Sequence, residues 1–406
     1  GRADQVQGGF GEQTKFPSTP QLDFLLDSYH RQPSAELKNF LTTTLDQMAA
    51  LGLRDHIGGG FFRYTTDPDW HTPHFEKMLY DNAQLARVYL RAAVILQRPD
   101  YREVVSDTLQ FMQRELLTDE GAMVGSLSAV DDSNIEGGYY LWSREELNKI
   151  LNDDENSIVE KAWLGKSAAS FDAGYLPVWQ QGSVTQKDLS ENELRLLDSA
   201  RLKMLQRRQQ DRKLPVDDKL LAGWNGLALS AFSLAAKANG SPEFRKTADS
   251  IASYISGTLM QSRKLVRAYK SGKPVGQASL ADYAYVAEGF WDHYQLTGNS
   301  EDMATAQSML NAGWEQFYSP NGWRLGSMAG IQSGGSQGII ADGPQSSPSS
   351  VLLNISYKLA QQTEDKELQK KVKQALGYDA LSLDSNAFWY ATQVRVIGEV
   401  FLGGTK

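Results

Sequence analysis

Residues 56 to 84, HIGGGFFRYTTDPDWHTPHFEKMLYDNAQ, carry the densest set of groups able to do chemistry. His74 and Glu76 stand two positions apart, and an imidazole beside a carboxylate is a ready pair for moving a proton to or from a reacting group. Asp81 follows. Pro73 fits a helix start, which places His74, Glu76 and Lys77 at or near the first turn of a helix and Asp81 one turn further on. Taken singly, Glu76 is as well explained by the helix dipole and His74 by a satisfied interior position; the cluster as a whole is harder to dismiss. Gly58, Gly59 and Gly60 permit positive φ or close backbone approach. With no Lys-Ser/Thr after them and no strand before, they are expected to shape a loop over a site rather than to cradle a phosphate. His71 and His74 have a three-residue spacing that invites a metal, but Pro73 interrupts it, and the chain has neither an HExxH pattern nor an EF-hand loop. No metal and no cofactor are expected.

Other acids recur where a loop runs into a helix: Asp131-Asp132 and Glu136 ahead of Trp142, Asp217-Asp218 ahead of Trp224, and Asp282 beside Tyr283. Each acid would serve equally as a helix cap, and Ser143 with Glu146 has the spacing of a capping box. Capping leaves the neighbouring aromatics unexplained. Trp70, Trp142, Trp224 and Tyr283 could offer flat apolar faces to sugar rings while carboxylates accept hydroxyl protons; the alternative is plain core filling. The acid/base candidates are therefore His74, Glu76, Asp81, Asp217, Asp218 and Asp282. His293 reads as structural, and Asp342 as a turn residue in the Gly/Ser-rich stretch 326 to 350.

The elements that must position these groups are helices, since apolar residues recur at three and four positions (Leu37, Phe40, Leu41, Leu45, Met48) and strand alternation is almost absent. Twelve helices are expected, at 20–30, 34–52, 74–97, 100–117, 143–151, 190–209, 220–239, 242–261, 278–297, 301–318, 347–363 and 365–376. A weaker segment lies at 155–164, and the apolar tail from Phe388 to Phe401 has room for a strand or two. A turn or capping residue precedes an apolar anchor at Leu37, Tyr101, Phe244, Met303 and Leu368. The spacings are 64, 143, 59 and 65 residues; reading the long one as two periods with an insertion gives six helical pairs. Six pairs can close into a ring, an all-α (α/α)6 barrel, here spanning 1–406 as one domain. Connections after the first helix of each pair are short and those before it are long. All long loops then share one face with the N-terminal ends of the inner helices, whose free N–H groups favour oxygen-rich ligands.

Composition narrows the partners. The chain has 406 residues, with 41 Lys and Arg against 49 Asp and Glu, so nucleic acid is not an expected partner. No Cys excludes disulfides, thiolate metal sites and dithiol redox chemistry. No apolar run approaches the roughly 18 residues that span a bilayer, and Gly1-Arg2-Ala3-Asp4 does not open a signal peptide. No membrane association is expected. A cytoplasmic location is slightly favoured, an exported one if the N-terminus is processed.

Gly58-Gly59-Gly60-Phe61 with Arg63-Tyr64, then Trp70 and PHFEKMLYDNAQL, resembles the signature of the thioredoxin-domain-containing family of the spermatogenesis-associated protein 20 type. Gly8-Gly9-Phe10-Gly11, Lys15-Phe16-Pro17, Glu136-Gly137 to Trp142, Asp217-Asp218-Lys219 with Trp224-Asn225-Gly226, and Asp282-Tyr283-Ala284 agree in order. The resemblance covers that family's (α/α)6 region, which is similar to N-acylglucosamine 2-epimerases and six-hairpin glycosidases; the thioredoxin module is absent from this sequence. It implies a carbohydrate-active barrel, glycoside hydrolase-like or sugar epimerase/isomerase-like, acting on a sugar or short glycan. Arg63, Tyr64, Trp70, His71, Trp142, Trp224, Asn225 and Tyr283 are the substrate-binding candidates. A non-catalytic sugar-binding or protein-interaction module is the competing expectation.

Overall fold

A computed structural model describes residues 2–165, 168–180, 188–261, 264–319, 322–324, 340–380, 383 and 387–403. The chain runs as antiparallel helix pairs: α1 (Thr19–Arg31) with α2 (Ala35–Ala50), and α3 (Leu79–Ile95) with α4 (Tyr101–Phe111). An insertion of α5 (Arg144–Ile150), α6 (Asp153–Val159) and α7 (Glu191–Asp211) follows. Then come α8 (Ala222–Asn239) with α9 (Pro242–Tyr254), α10 (Leu280–Thr297) with α11 (Ser300–Phe317), α12 (Pro348–Gln362) with α13 (Lys366–Ala380), and lastly α14 (Ala391–Leu402).

Six of these helices form a closed inner ring, each packing on the next in the order α1, α3, α8, α10, α12, α14 and back to α1. The architecture is an (α/α)6 barrel. The inner helix α8 is apolar or small nearly all round, as an element covered on every side must be: it reads AGWNGLALSAFSLAAKAN. Glycines set the closest crossing, between α8 and α10: a Cβ on Gly226 would lie 2.5 Å from the Tyr285 carbonyl oxygen, and one on Gly289 2.5 Å from that of Gly226. The outer helices α2, α9 and α13 start with side-chain caps. Ser34, Ser241 and Asp365 accept the backbone N–H of Leu37, Phe244 and Leu368.

The lumen is filled by charge. Arg87 on α3 reaches across the ring to Glu288 on α10 with two bonds of 2.7 and 2.6 Å. Arg91 pairs with Asp23 and Asp27 of α1, Arg395 of α14 also faces Asp27, Ser230 of α8 donates to Asp292, and Lys358 of α12 faces Glu399 of α14. All six inner helices contribute. Such a network fixes register more than it adds stability, because desolvation offsets most of the attraction. Burial pushes the Asp292 carboxyl up to about 6.

Three expectations are corrected. Residues 74–78 are not helical: Tyr64–Thr65 pairs with Pro73–His74, and Lys77–Met78 with Ser126–Leu127, which pairs in turn with Val216–Asp217. Sheet bonds satisfy the backbone there, and α3 begins at Leu79. The long gap between anchors is not a sixth ring pair, since α5–α7 gather a separate core of Trp142, Trp163, Leu197 and Met204. The sixth inner helix comes instead from the tail expected to hold strands; among the described residues it is followed by no outer partner. The loop 262–277 also contains a hairpin, Lys264–Lys270 against Lys273–Gln277. Apart from 118–142, which leads into the insertion, the long loops lead into inner helices and so share one face, while connections after inner helices have two to five residues.

Candidate functional site

On that face, over the N-terminal ends of α1, α3, α12 and α14, lies a cavity of about 340 Å³. Its roof is the segment before α1. Ala3 bridges to Phe10 and Lys15 to Thr65; the Lys15 ammonium pairs with Asp4 at 2.6 Å, and the Trp70 indole donates to the Gln7 carbonyl at 2.9 Å. Phe10, Phe16, Phe388 and Trp389 supply aromatic walls, and Thr19, Gln21 and Asp81 the polar ones. Asp81 is 4% exposed, in the first turn of α3, and its Oδ2 has no hydrogen-bond partner. Burial pushes its carboxyl well above the usual carboxylate range; nearby Arg63 and Tyr80 oppose the rise, and the charge of Glu76 adds to it. The group is a buried carboxyl at a cavity wall, in surroundings that favour its proton-bound form.

A polar rim adjoins the cavity. The register that pairs Tyr64 with His74 brings the Arg63 guanidinium to Glu76 at 3.0 Å, while His74 stands 3.8 Å from Glu76 and 3.1 Å from Glu136. Tyr64 stacks on His74 with centroids 5.0 Å apart and meets Phe16 of the cavity wall at 4.8 Å. Tyr80 meets Trp224 at 4.9 Å. Arg63, Tyr64, His74, Glu76, Asp81 and Trp224 are thus gathered on one side of the mouth.

The remaining candidates stand elsewhere. Trp70 and Trp142 are fully buried; Trp70 anchors the N-terminal segment and Trp142 lies under Arg212 in the insertion core, so neither offers a ring face to a ligand. Tyr283 is buried against Phe317, its hydroxyl accepting from Gln316. Asp282 caps its own helix through Ser279 and accepts the Gly223 N–H at 3.1 Å, tying α10 to α8. Asp217 pairs with Lys219 and Asp218 with Lys270 at the surface. His71 is exposed beside Asp69. With Asp67 these two could surround an ion, but Asp67 already accepts the N–H groups of Asp69, His71 and Thr72 and so braces its own loop.

Asn225 is buried and structural, and it has a twin. Its amide accepts from the Met123 N–H and donates to the carbonyls of Met123 and Leu221; Asn82, at the same place in α3, does this with Phe61 and Met78. Each pins a loop to the start of an inner helix. Sequence reasoning also missed the clamp of Asp55, Lys77 and Arg208. Lys77 bonds Asp55 at 2.8 Å and Arg208 grips it at 2.9 and 3.1 Å, joining the insertion to the ring. Arg208 and Lys77 outweigh burial and hold the Asp55 carboxyl far below its usual range, while burial brings the Lys77 ammonium down to about 8. Phe16, Phe388 and Trp389 were missed as walls because nothing local links positions so far apart in the chain.

No protein-family model matches the sequence. The rat spermatogenesis-associated protein 20 (Rattus norvegicus) is 31% identical over 79% of this chain and 46% of its own length, and the human one (Homo sapiens) 28% identical over the same shares. The fold is similar to that of D-mannose isomerase, at 10% identity with a TM-score of 0.63 over 98% of this chain and 93% of that one. It is also similar to a GH76 alpha-mannanase of Bacteroides thetaiotaomicron, at 10% identity with a TM-score of 0.57 over 97% and 86%. The chain is a homologue of the spermatogenesis-associated protein 20 group, as its motifs indicated, and spans about half the length of the relatives it matches.

Proposed function

We propose that the chain is a carbohydrate-active enzyme that moves a proton at a sugar held in the mouth cavity, as a glycoside hydrolase or a sugar isomerase or epimerase does. The observation that carries this reading is Asp81: a buried acid with an unpartnered oxygen, in the wall of an aromatic-lined cavity of about 340 Å³. Both reaction types need a donor and an acceptor whose environments push their protonation states apart. Asp81 is the donor. Glu76, ion-paired with Arg63 and close enough to act on Asp81 electrostatically, is the acceptor, and His74 on its other side can pass the proton on. Aromatic walls seat the apolar face of a sugar ring, and Tyr64 and Trp224 extend that platform along the rim. The likeness to a mannose isomerase and a mannanase supports the barrel as a scaffold for such chemistry, not a choice between them.

The test is proton NMR in D2O with monosaccharides and disaccharides and the full chain. Deuterium entering at C2 reports isomerisation or epimerisation; new anomeric signals report hydrolysis. Asp81→Asn and Glu76→Gln should each reduce the rate by about 10²–10⁴-fold. Sugar binding without turnover, unchanged by either substitution, would favour the non-catalytic module instead.

A further inference from the structure

Although the chain as a whole is acidic, the mouth cavity is not. Among the described residues that line it, Asp81 is the only acid, and burial disfavours its charged form. The cation is Arg2, whose guanidinium lies 5.1 Å over the Phe388 ring and 5.5 Å over that of Trp389 and forms no ion pair among the described residues. These cation–π contacts hold the group at the opening, and its N–H groups make no hydrogen bond among the described residues. The thirteen-residue α1 begins in the same cavity. Its first residue is preceded by Ser18 at φ 50°, no side chain caps it, and no acid stands in its first turn, so its partial positive charge is uncompensated. Thr19, 4% exposed, lines the cavity and its hydroxyl has no partner. A guanidinium, an uncapped helix start and an idle buried hydroxyl line one cavity, and the single acid among its described lining residues is the buried Asp81.

We infer that the ligand of the mouth cavity carries an anionic group, a carboxylate or a phosphate, which sits between Arg2 and the start of α1. The inference rests on the carbohydrate reading above for the rest of the ligand, a sugar ring against Phe16 and Trp389. A uronate or a sugar phosphate has the required chemistry. Net charge is silent on this, because a local field is set by the few groups within a Debye length.

The test compares glucose, mannose and galactose with their uronates and 6-phosphates by titration calorimetry, using the full chain at low and high salt. At least one anionic series should bind about tenfold or more tighter than its neutral parents, in keeping with charge-assisted hydrogen bonds. That advantage should shrink to within about threefold in Arg2→Gln and weaken in 0.5 M NaCl. Which series gains distinguishes carboxylate from phosphate. Thr19→Val, nearly isosteric, should weaken the same series more than it weakens the neutral sugars. Neutral sugars binding as tightly as both anionic series, or a preference that survives Arg2→Gln, would overturn the inference while leaving the carbohydrate reading standing. Inorganic phosphate or acetate binding as tightly as the sugar anions, and lost in Arg2→Gln, would uphold the anion seat and count against the sugar instead.

Discussion

Replacing Asp81 by Asn should make the protein more stable while removing its activity. Asp81 is 4% exposed and burial raises its folded-state pKa well above that of an exposed carboxylate. The sign follows from linkage. Below the unfolded pKa both states hold the proton and pH has no effect through this group. Above it the unfolded chain releases the proton while the folded one retains it, so the stability due to this group is lost as pH rises, until pH reaches the folded pKa. The slope in that window is about 1.4 kcal/mol per pH unit. Asparagine has no proton to lose. The advantage of Asp81→Asn over the parent should therefore widen with pH by up to about 1.4 kcal/mol per unit across that window, which opens near the ordinary aspartate pKa of about 4. Every other carboxylate titrates in both proteins, so the difference isolates this one. Urea unfolding at half-unit pH steps, with equal m-values in the two proteins, measures it. A gap that stays flat across that range, or narrows, would refute a buried, protonated Asp81.

The other substitutions separate rim, clamp and pins. Glu76→Gln should cost under about 1 kcal/mol, since the Arg63 pair is partly exposed, yet abolish most turnover in the NMR assay. Asp55→Ala should cost about 3–5 kcal/mol in urea unfolding, because it leaves Lys77 and Arg208 buried without their partner. Asn82→Ala and Asn225→Ala should each cost about 2–3 kcal/mol, and by similar amounts, as expected of twins making the same bonds at two inner helices. Trp70→Phe and Trp142→Phe should lower stability by about 1–3 kcal/mol and change sugar affinity less than twofold, which calorimetry would show.

What could be read from the sequence is what is encoded locally. The Ser143–Glu146 capping box forms as its spacing indicated, and side-chain caps precede the anchors Leu37, Phe244 and Leu368 though not Tyr101; where they form, cap and partner lie within one turn. Helical periodicity located most of the ring, and the alternation of short and long connections located the face that carries the mouth cavity. Two-residue strands have no periodicity, so nothing marked Pro73–His74 as sheet rather than the first turn of α3. The last inner helix hid for the opposite reason: ATQVRVIGEVFL is rich in β-branched and aromatic residues, and only packing between α1 and α12 makes it helical. Residue type alone also failed to distinguish a tryptophan that faces a cavity, Trp389, from ones sealed in a core, Trp70 and Trp142.

A crystal structure of the Asp81→Asn protein soaked with the sugar that gives the strongest calorimetric signal would test the account most directly. The account predicts a sugar ring against Phe16 and Trp389, with one of its oxygens within hydrogen-bond distance of residue 81. A sugar seated on another face of the barrel, with the mouth cavity holding only water, would contradict it.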